Sequence, residues 1–231
     1  MAENATELIR RSLVRGVIGI LLLAACLFVS AGGLDWPMAW AYLGVVVISL
    51  AGSMTFFIRT DPALVAERLR FDKDTKGWDK LLAPLVAVVV PLALLIVAGL
   101  DRRFGWSAPI PLPGQIVALT VTVAGSLMVY WSMAANTFFA ATVRIQAERG
   151  HRVITGGPYR YVRHPGYVGA IVADLALPLA LGSLWALIPG LLASGLLVLR
   201  TALEDATLKR ELAGYEDYAA RVRYRLLPGV W

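Results

Sequence analysis

Cysteine, histidine and charge are all scarce in this sequence. Cys26 is the one cysteine among 231 residues, which excludes an internal disulfide framework and any thiolate metal cluster. His151 and His164 are the two histidines, too few for a histidine-rich metal site, so no metal is expected. Charged residues make up 16% of the chain, against about 25% in ordinary globular domains, while hydrophobic residues reach 58%. Such a chain has more apolar surface than one soluble core of its size could hide. The net charge of +6 would suit nucleic acid, but the basic residues form no single patch or stripe, and a soluble nucleic-acid binder is excluded.

Uncharged length is abundant instead. Residues 16–34, 36–58 and 81–100 hold no charge. Residues 104–143 hold none either, although Pro109, Pro111 and Pro113 make their start a loop and leave about 114–135 as the usable span. About 20 helical residues cross the roughly 30 Å hydrocarbon core, so these four stretches read as four membrane helices. Residues 165–199 carry Asp174 as their one charge and are too long for a single pass. Leu181-Gly182-Ser183 reads as a tight turn that divides them into two minimal passes. The expected fold class is an all-α integral membrane protein with about six transmembrane helices. Five crossings is the alternative, if Pro178 and Pro189 make the last pair a re-entrant hairpin.

The basic residues test this count independently. Every Lys and Arg except Arg102 and Arg103 falls in the N-terminal segment, the second loop (which includes Arg70 and Lys73), the fourth loop or the tail. Six helices with both termini cytoplasmic, in a membrane expected to be the bacterial inner membrane, satisfy the positive-inside rule. Arg10-Arg11 before an apolar run ending in Val29-Ser30-Ala31 could also be a signal peptide with its cleavage site. Cleavage would leave an odd number of crossings against the charge pattern, so the first helix is expected to stay.

The chain divides by chemistry. Residues 1–135 read as a four-helix scaffold, with Trp36, Trp40, Trp78 and Trp106 at interface positions. The loop 61–80 alternates charges with Leu64, Val65, Leu69 and Trp78. It reads as an amphipathic segment lying on the membrane surface, the alternative being a part in admitting substrate. Residues 136–231 read as the catalytic region. Gly156-Gly157-Pro158 is a turn signal, and Pro165 suits the first position of the helix that re-enters the membrane. His164 and Arg163 therefore sit at a helix N-terminus, a ready place for an anion. Further on, Arg200, Glu204 and Leu208 share one helix face at i, i+4 spacing, leaving the membrane where the His164 loop re-enters it.

Three blocks in order carry a resemblance: Gly-His151-Arg-Val-Ile-Thr-Gly-Gly-Pro-Tyr159-Arg-Tyr-Val-Arg-His164-Pro-Gly-Tyr167, then Arg200-x-x-x-Glu204-Asp205, then Tyr215-x-x-Tyr218. Together they resemble the isoprenylcysteine carboxyl methyltransferase family, part of a wider group of membrane methyltransferases that includes the phospholipid N-methyltransferases. The resemblance covers about 95 residues at the C-terminus. It implies S-adenosylmethionine held in a pocket at the cytoplasmic face, with a lipophilic small molecule or lipid-modified acceptor entering from the bilayer. Carried over position by position, the cofactor site would use Gln146, His151, Arg152, Val153, Ile154, Tyr159, His164, Pro165, Gly166, Tyr167 and Glu204. Arg200 would face the substrate, and with Glu204 it would form the catalytic pair. The family's acidic pair is commonly Glu-Glu, and here it is Glu204-Asp205.

The tail from Arg221 to Trp231 is similar to the end of membrane sterol reductases, under which reading the basic loop would hold NADPH. The Thr-Gly-Gly-Pro-Tyr-Arg block fits the methyltransferases better. Few Lys beside many Arg and Ala suggest a bacterial genome, where a literal prenylcysteine substrate is not expected. Arg200 is suited to gripping an anion with two parallel hydrogen bonds, so the acceptor is expected to be a carboxylate or thiolate, with no dedicated base. Asp174 stands apart from all three blocks. An ionised carboxylate at membrane depth costs at least about 2.5 kcal/mol, so it is either bonded to a neighbouring helix or faces a pocket.

Overall fold

The computed structural model describes residues 5–69 and 74–231, and Arg70 and Lys73 of the second basic loop lie outside the described residues. Among the described residues all regular structure is helical. In chain order the helices are α1 (Ala5–Ala31), α2 (Pro37–Thr60), α3 (Pro62–Leu69), α4 (Asp79–Pro84), α5 (Val90–Phe104), α6 (Leu112–Ala135), α7 (Pro165–Ala180), α8 (Leu187–Glu211) and α9 (Tyr215–Arg221). A π-turn, Leu85–Val89, joins α4 to α5 in one continuous rod, Asp79–Phe104. Pro84 and Pro91 bracket it. Proline has no N–H to give, so the ordinary i to i−4 ladder cannot run unbroken there, and a wider turn absorbs the fault.

Five rods are long and apolar enough to cross a membrane: α1, α2, the α4–α5 rod, α6 and α8. The protein is an integral membrane protein of the expected all-α class. Helix α7 has 16 residues, short for a full crossing by length alone. The turn after it nevertheless meets the far loops. Gly182 takes φ +78°, Ser183 Oγ donates to Asp101 Oδ2 at 2.5 Å, and the Leu184 N–H donates to Ser107 Oγ at 2.9 Å. Trp106 and Trp185 meet edge-on at 6.4 Å between ring centres. The hairpin tip is thus level with the connection between α5 and α6, not a shallow dip.

Connections alternate between two ends. Arg15 reaches the Leu69 carbonyl and Lys76 pairs with Glu211 at 2.6 Å, so the first half of α1 and the start of α4 lie beside the ends of α3 and α8. This is the basic end. At the opposite end Arg102 donates to the Asp35 carbonyl and stacks over Trp36. The apolar core there joins Leu27 and Phe28 of α1, Leu94 and Leu95 of α5, and Leu181 and Ala186 of the hairpin turn.

Helices α6 and α7 cross closely, and glycine is the reason. A Cβ on Gly125 would lie 2.5 Å from the Gly169 carbonyl oxygen, and one on Gly169 would run into the Gly125 carbonyl in return. Within a bilayer such small-residue crossings replace the hydrophobic drive that water would supply. This crossing sets the direction of α7 and hence the position of its N-terminus.

Candidate active site

A cavity of about 230 Å³ lies at the basic end, under α3 and against the N-terminus of α7. His151, Arg152, Val153, Ile154, Tyr159, His164, Gly166 and Tyr167 line it from the loop and the start of α7, Arg200, Glu204 and Leu208 from α8, and Tyr215 and Tyr218 from α9. Three blocks far apart in sequence therefore share one wall. Gln146 and Pro165 do not reach that wall, and both are fully buried. Gln146 instead donates from Nε2 to the Phe138 carbonyl at 2.8 Å and takes Arg149 on its Oε1 at 2.5 Å. Its side chain fixes the start of the loop, behind the cavity.

Helix α7 begins at Pro165 with His164 as its N-cap. The N–H groups of Tyr167 and Val168 both turn back to the His164 carbonyl, at 3.1 and 3.3 Å. The Gly166 N–H has no partner among the described residues and belongs to the cavity wall. A Cβ on Gly166 would lie 2.8 Å from the Phe139 ring, so the wall is this close only because the residue is glycine. Tyr167 donates its hydroxyl to Glu204 Oε2 at 2.5 Å and lies under the Arg200 guanidinium, 5.6 Å from its ring centre. The His164 ring stacks on Tyr167 at 5.8 Å, interplanar angle 11°.

Adjacent helical residues point about 100° apart, and Glu204 and Asp205 use this. Glu204 faces the cavity, whereas Asp205 is fully buried away from it. Arg163 closes on Asp205 with both Nε (2.7 Å) and Nη2 (3.1 Å), and Arg225 Nε (2.9 Å), the Tyr215 hydroxyl (3.0 Å), His164 Nε2 (3.4 Å) and Lys209 Nζ (3.7 Å) join the group. Arg163 also donates to the Val222 and Arg223 carbonyls, and its own N–H goes to Tyr224. Asp205 thus ties the loop to the C-terminal tail.

The expectation for Arg200 needs amending in one respect. Its fork is already filled: Nε and Nη2 donate to the two oxygens of Asp79 at 2.7 and 2.9 Å, and Nη2 also reaches the Ala141 carbonyl at 2.9 Å. Asp79 is fully buried and also accepts the Val143 N–H at 2.6 Å. Only Nη1 of Arg200 remains for a ligand. A further cation on the wall comes from α3. Arg68 lies over the Phe139 ring at 5.5 Å, and no carboxylate pairs with it among the described residues. Burial draws its pKa below the ordinary value, with Arg200 adding to the effect.

Helix α3 is held down rather than floating on a surface. Leu64 is buried with Phe57 and Met133, and Glu67 pairs with Arg144 at 2.7 Å out of reach of water. Among the loop residues, burial and then Arg144 and Arg149 pull His151 down to about 4. Its ring stacks on Phe138 and its Nδ1 accepts the Gln146 N–H at 3.2 Å. Burial pushes the Tyr159 and Tyr218 hydroxyls well above their ordinary range. Arg163 stays above its ordinary value because Asp205 more than offsets the burial of its charge.

Fold and site together define an all-helical integral membrane protein with a polar, aromatic-walled cavity at one end of its helices. Residues 117–210 match the Isoprenylcysteine carboxyl methyltransferase (ICMT) family. The match runs from α6 through the loop and α7 into α8, taking in most of the cavity wall. The chain is also similar to the Lamin-B receptor of Drosophila melanogaster, 35% identical over 100 residues. That alignment covers 42% of this chain and 14% of the receptor, so the chain spans a small part of that relative's length.

Proposed function

We propose that the protein transfers a methyl group from S-adenosylmethionine to a lipophilic, anionic acceptor, in a pocket on the cytoplasmic side of the membrane. The observation that carries this reading is the wall shared by Glu204, Arg200 and the His164–Tyr167 helix start, within the stretch that matches the family. The donor set suits such a cofactor. Glu204 offers a carboxylate to its cationic end, Gly166 an open N–H to its carboxylate, and Tyr159 and Tyr167 aromatic faces to adenine or sulfonium. Bound there, the cofactor would supply an electrophilic methyl group.

The chain's own residues then align the nucleophile and exclude water, the main tasks in an in-line displacement. With the Arg200 fork closed on Asp79, orientation of the acceptor falls to Arg200 Nη1 and to Arg68. An anionic acceptor needs no deprotonation. An ammonium would need a base near neutral pKa, and His151, at about 4, is a poor one. The site draws on both parts of the chain. Residues 136–231 supply most of the wall, and Arg68 and Asp79 come from the helical region before it.

The test uses purified protein in lipid nanodiscs with labelled S-adenosylmethionine and a lipid extract of the host. The expected result is micromolar cofactor binding and a labelled acidic lipophile. Arg200→Lys should abolish most turnover while binding survives. Glu204→Gln and His164→Ala should weaken binding more than tenfold. Consumption of NADPH without methyl transfer would overturn the reading in favour of a reductase. A labelled amine headgroup, formed at a rate that climbs from pH 6 to 9 and ignores Arg200→Lys, would overturn the anionic acceptor.

A further inference from the structure

A second cavity, of about 410 Å³, lies among α1, α2, α5, α6 and α7 at membrane depth and shares no wall residue with the first. We propose that it is a binding site for a lipophilic amine, with Asp174 as the counter-charge. The proposal goes beyond methyl transfer and does not rest on it. Asp174 lies two turns of α7 beyond Tyr167, about 10 Å deeper along the helix.

The composition of the walls points to this ligand. Asp174 makes no hydrogen bond or ion pair among the described residues, and no basic side chain lines the chamber. An acid kept at membrane depth normally faces a partner, and no basic group among the described residues that line the chamber supplies one. The hydroxyls of Thr122 and Ser126 donate to the Ala118 and Thr122 carbonyls at 2.9 and 3.0 Å. Their oxygens are therefore left as acceptors. The chamber offers these acceptors and one carboxyl group, within walls otherwise made of Leu, Val, Ile, Pro, Ala and Gly residues together with the hydroxyls of Tyr42, Tyr130 and Ser49. A protonated amine supplies the opposite charge and several donors, and an apolar body fills the rest. A fatty acid would set like charge against Asp174, and an alcohol would satisfy one acceptor without balancing the charge.

Access is lateral. Val45, Ser49 and Tyr130 also belong to a groove between α2 and α6. The exposed side chains of Ile48, Phe56 and Leu127 place that groove on the outer surface of the bundle. A lipophile dissolved in the bilayer can thus reach Asp174 without passing through water.

The test compares n-decylamine, n-decanol and decanoate against the protein in phosphatidylcholine nanodiscs, reading the thermal midpoint and, from its concentration dependence, an apparent affinity. Two variants are included. Asp174→Asn removes the charge, and Gly19→Leu fills the chamber from α1, where a Cβ meets open space. Decylamine should stabilise the parent at concentrations where decanol does less and decanoate nothing. Asp174→Asn should lower the affinity for decylamine at least tenfold and bring it level with decanol. Gly19→Leu should abolish both effects, which keeps the test decisive if the asparagine variant does not fold. Equal stabilisation by amine and alcohol in the parent, or an amine effect unchanged in either variant, overturns the proposal.

Discussion

Replacing Asp79 by asparagine leaves Arg200 charged and half-bonded in a place water does not reach. The side chains of the pair are 0% and 8% exposed, and two charge-assisted bonds of 2.7 and 2.9 Å join them. Breaking a buried pair by removing one partner costs about 3–5 kcal/mol, because the remaining charge keeps its desolvation penalty. Asparagine can still accept the Val143 N–H, so Asp79→Asn belongs near the lower end of that range. Asp79→Ala loses that bond as well and belongs near the upper end. Against a total stability of about 5–15 kcal/mol these are large fractions. Removing both charges, as Asp79→Leu with Arg200→Met, should recover most of the loss, since well-packed apolar replacements of buried pairs are often neutral. The expected coupling is therefore at least about 2 kcal/mol. Denaturant unfolding in micelles, followed by helical circular dichroism, measures it as a double-mutant cycle. Turnover should stay low in the double variant even as stability returns. Single losses that simply add, to within about 0.5 kcal/mol, would refute the pairing as the reason Arg200 is held where it is.

Three further outcomes are expected. His151 takes up a proton at about 4 in the folded protein and near 6.5 when unfolded, so between those values the unfolded chain binds more protons. Stability should fall as pH drops from 6.5 toward 4 and be insensitive to this residue above 6.5, and His151→Gln should flatten that part of the acid limb in a midpoint-versus-pH series. Gly169→Ala should destabilise by about 1–3 kcal/mol, the usual cost of overpacking, because its Cβ runs into the Gly125 carbonyl. A midpoint within a degree of the parent would contradict so close a crossing. Asp205→Asn should free the tail and loosen the loop together, seen as protease cleavage near residues 222–225 and weaker cofactor binding in one variant. Cleavage without any change in binding would separate the two.

Much of the architecture could be read from charge alone, because ionised side chains at membrane depth are costly and rare. The uncharged runs and the position of Arg102 and Arg103 opposite the other basic residues locate the helix ends closely. The site was legible where its chemistry is local. The crowding of Gly, Pro, His and Tyr around His164 marks the helix start, and the i, i+4 spacing of Arg200 and Glu204 puts them on one wall. Pairings that close only in three dimensions were not. Asp79 and Arg200 are 121 positions apart, and nothing in either neighbourhood names the other. The apolar positions of α3 suggest a helix on a lipid surface, yet Leu64 is covered by protein and Glu67 by Arg144. Spacing reveals that a helix has an apolar face but not what covers it. Gln146 was placed by resemblance to a family pattern, and its side chain turns instead to the Phe138 carbonyl.

The tail contact also bears on when the loop can be fastened during synthesis. Arg163 and His164 give their backbone N–H groups to the carbonyls of Tyr224 and Arg225, which are translated after every membrane helix. Chains emerge from the ribosome N-terminus first, so α7 and α8 can enter the bilayer while the loop between α6 and α7 still lacks its anchor. Through that interval Asp205 holds Arg163 but not Arg225, and the cavity wall is assembled without being fastened. A released chain truncated before Tyr224 would keep α1 to α8 yet lack the two backbone acceptors that fasten the loop.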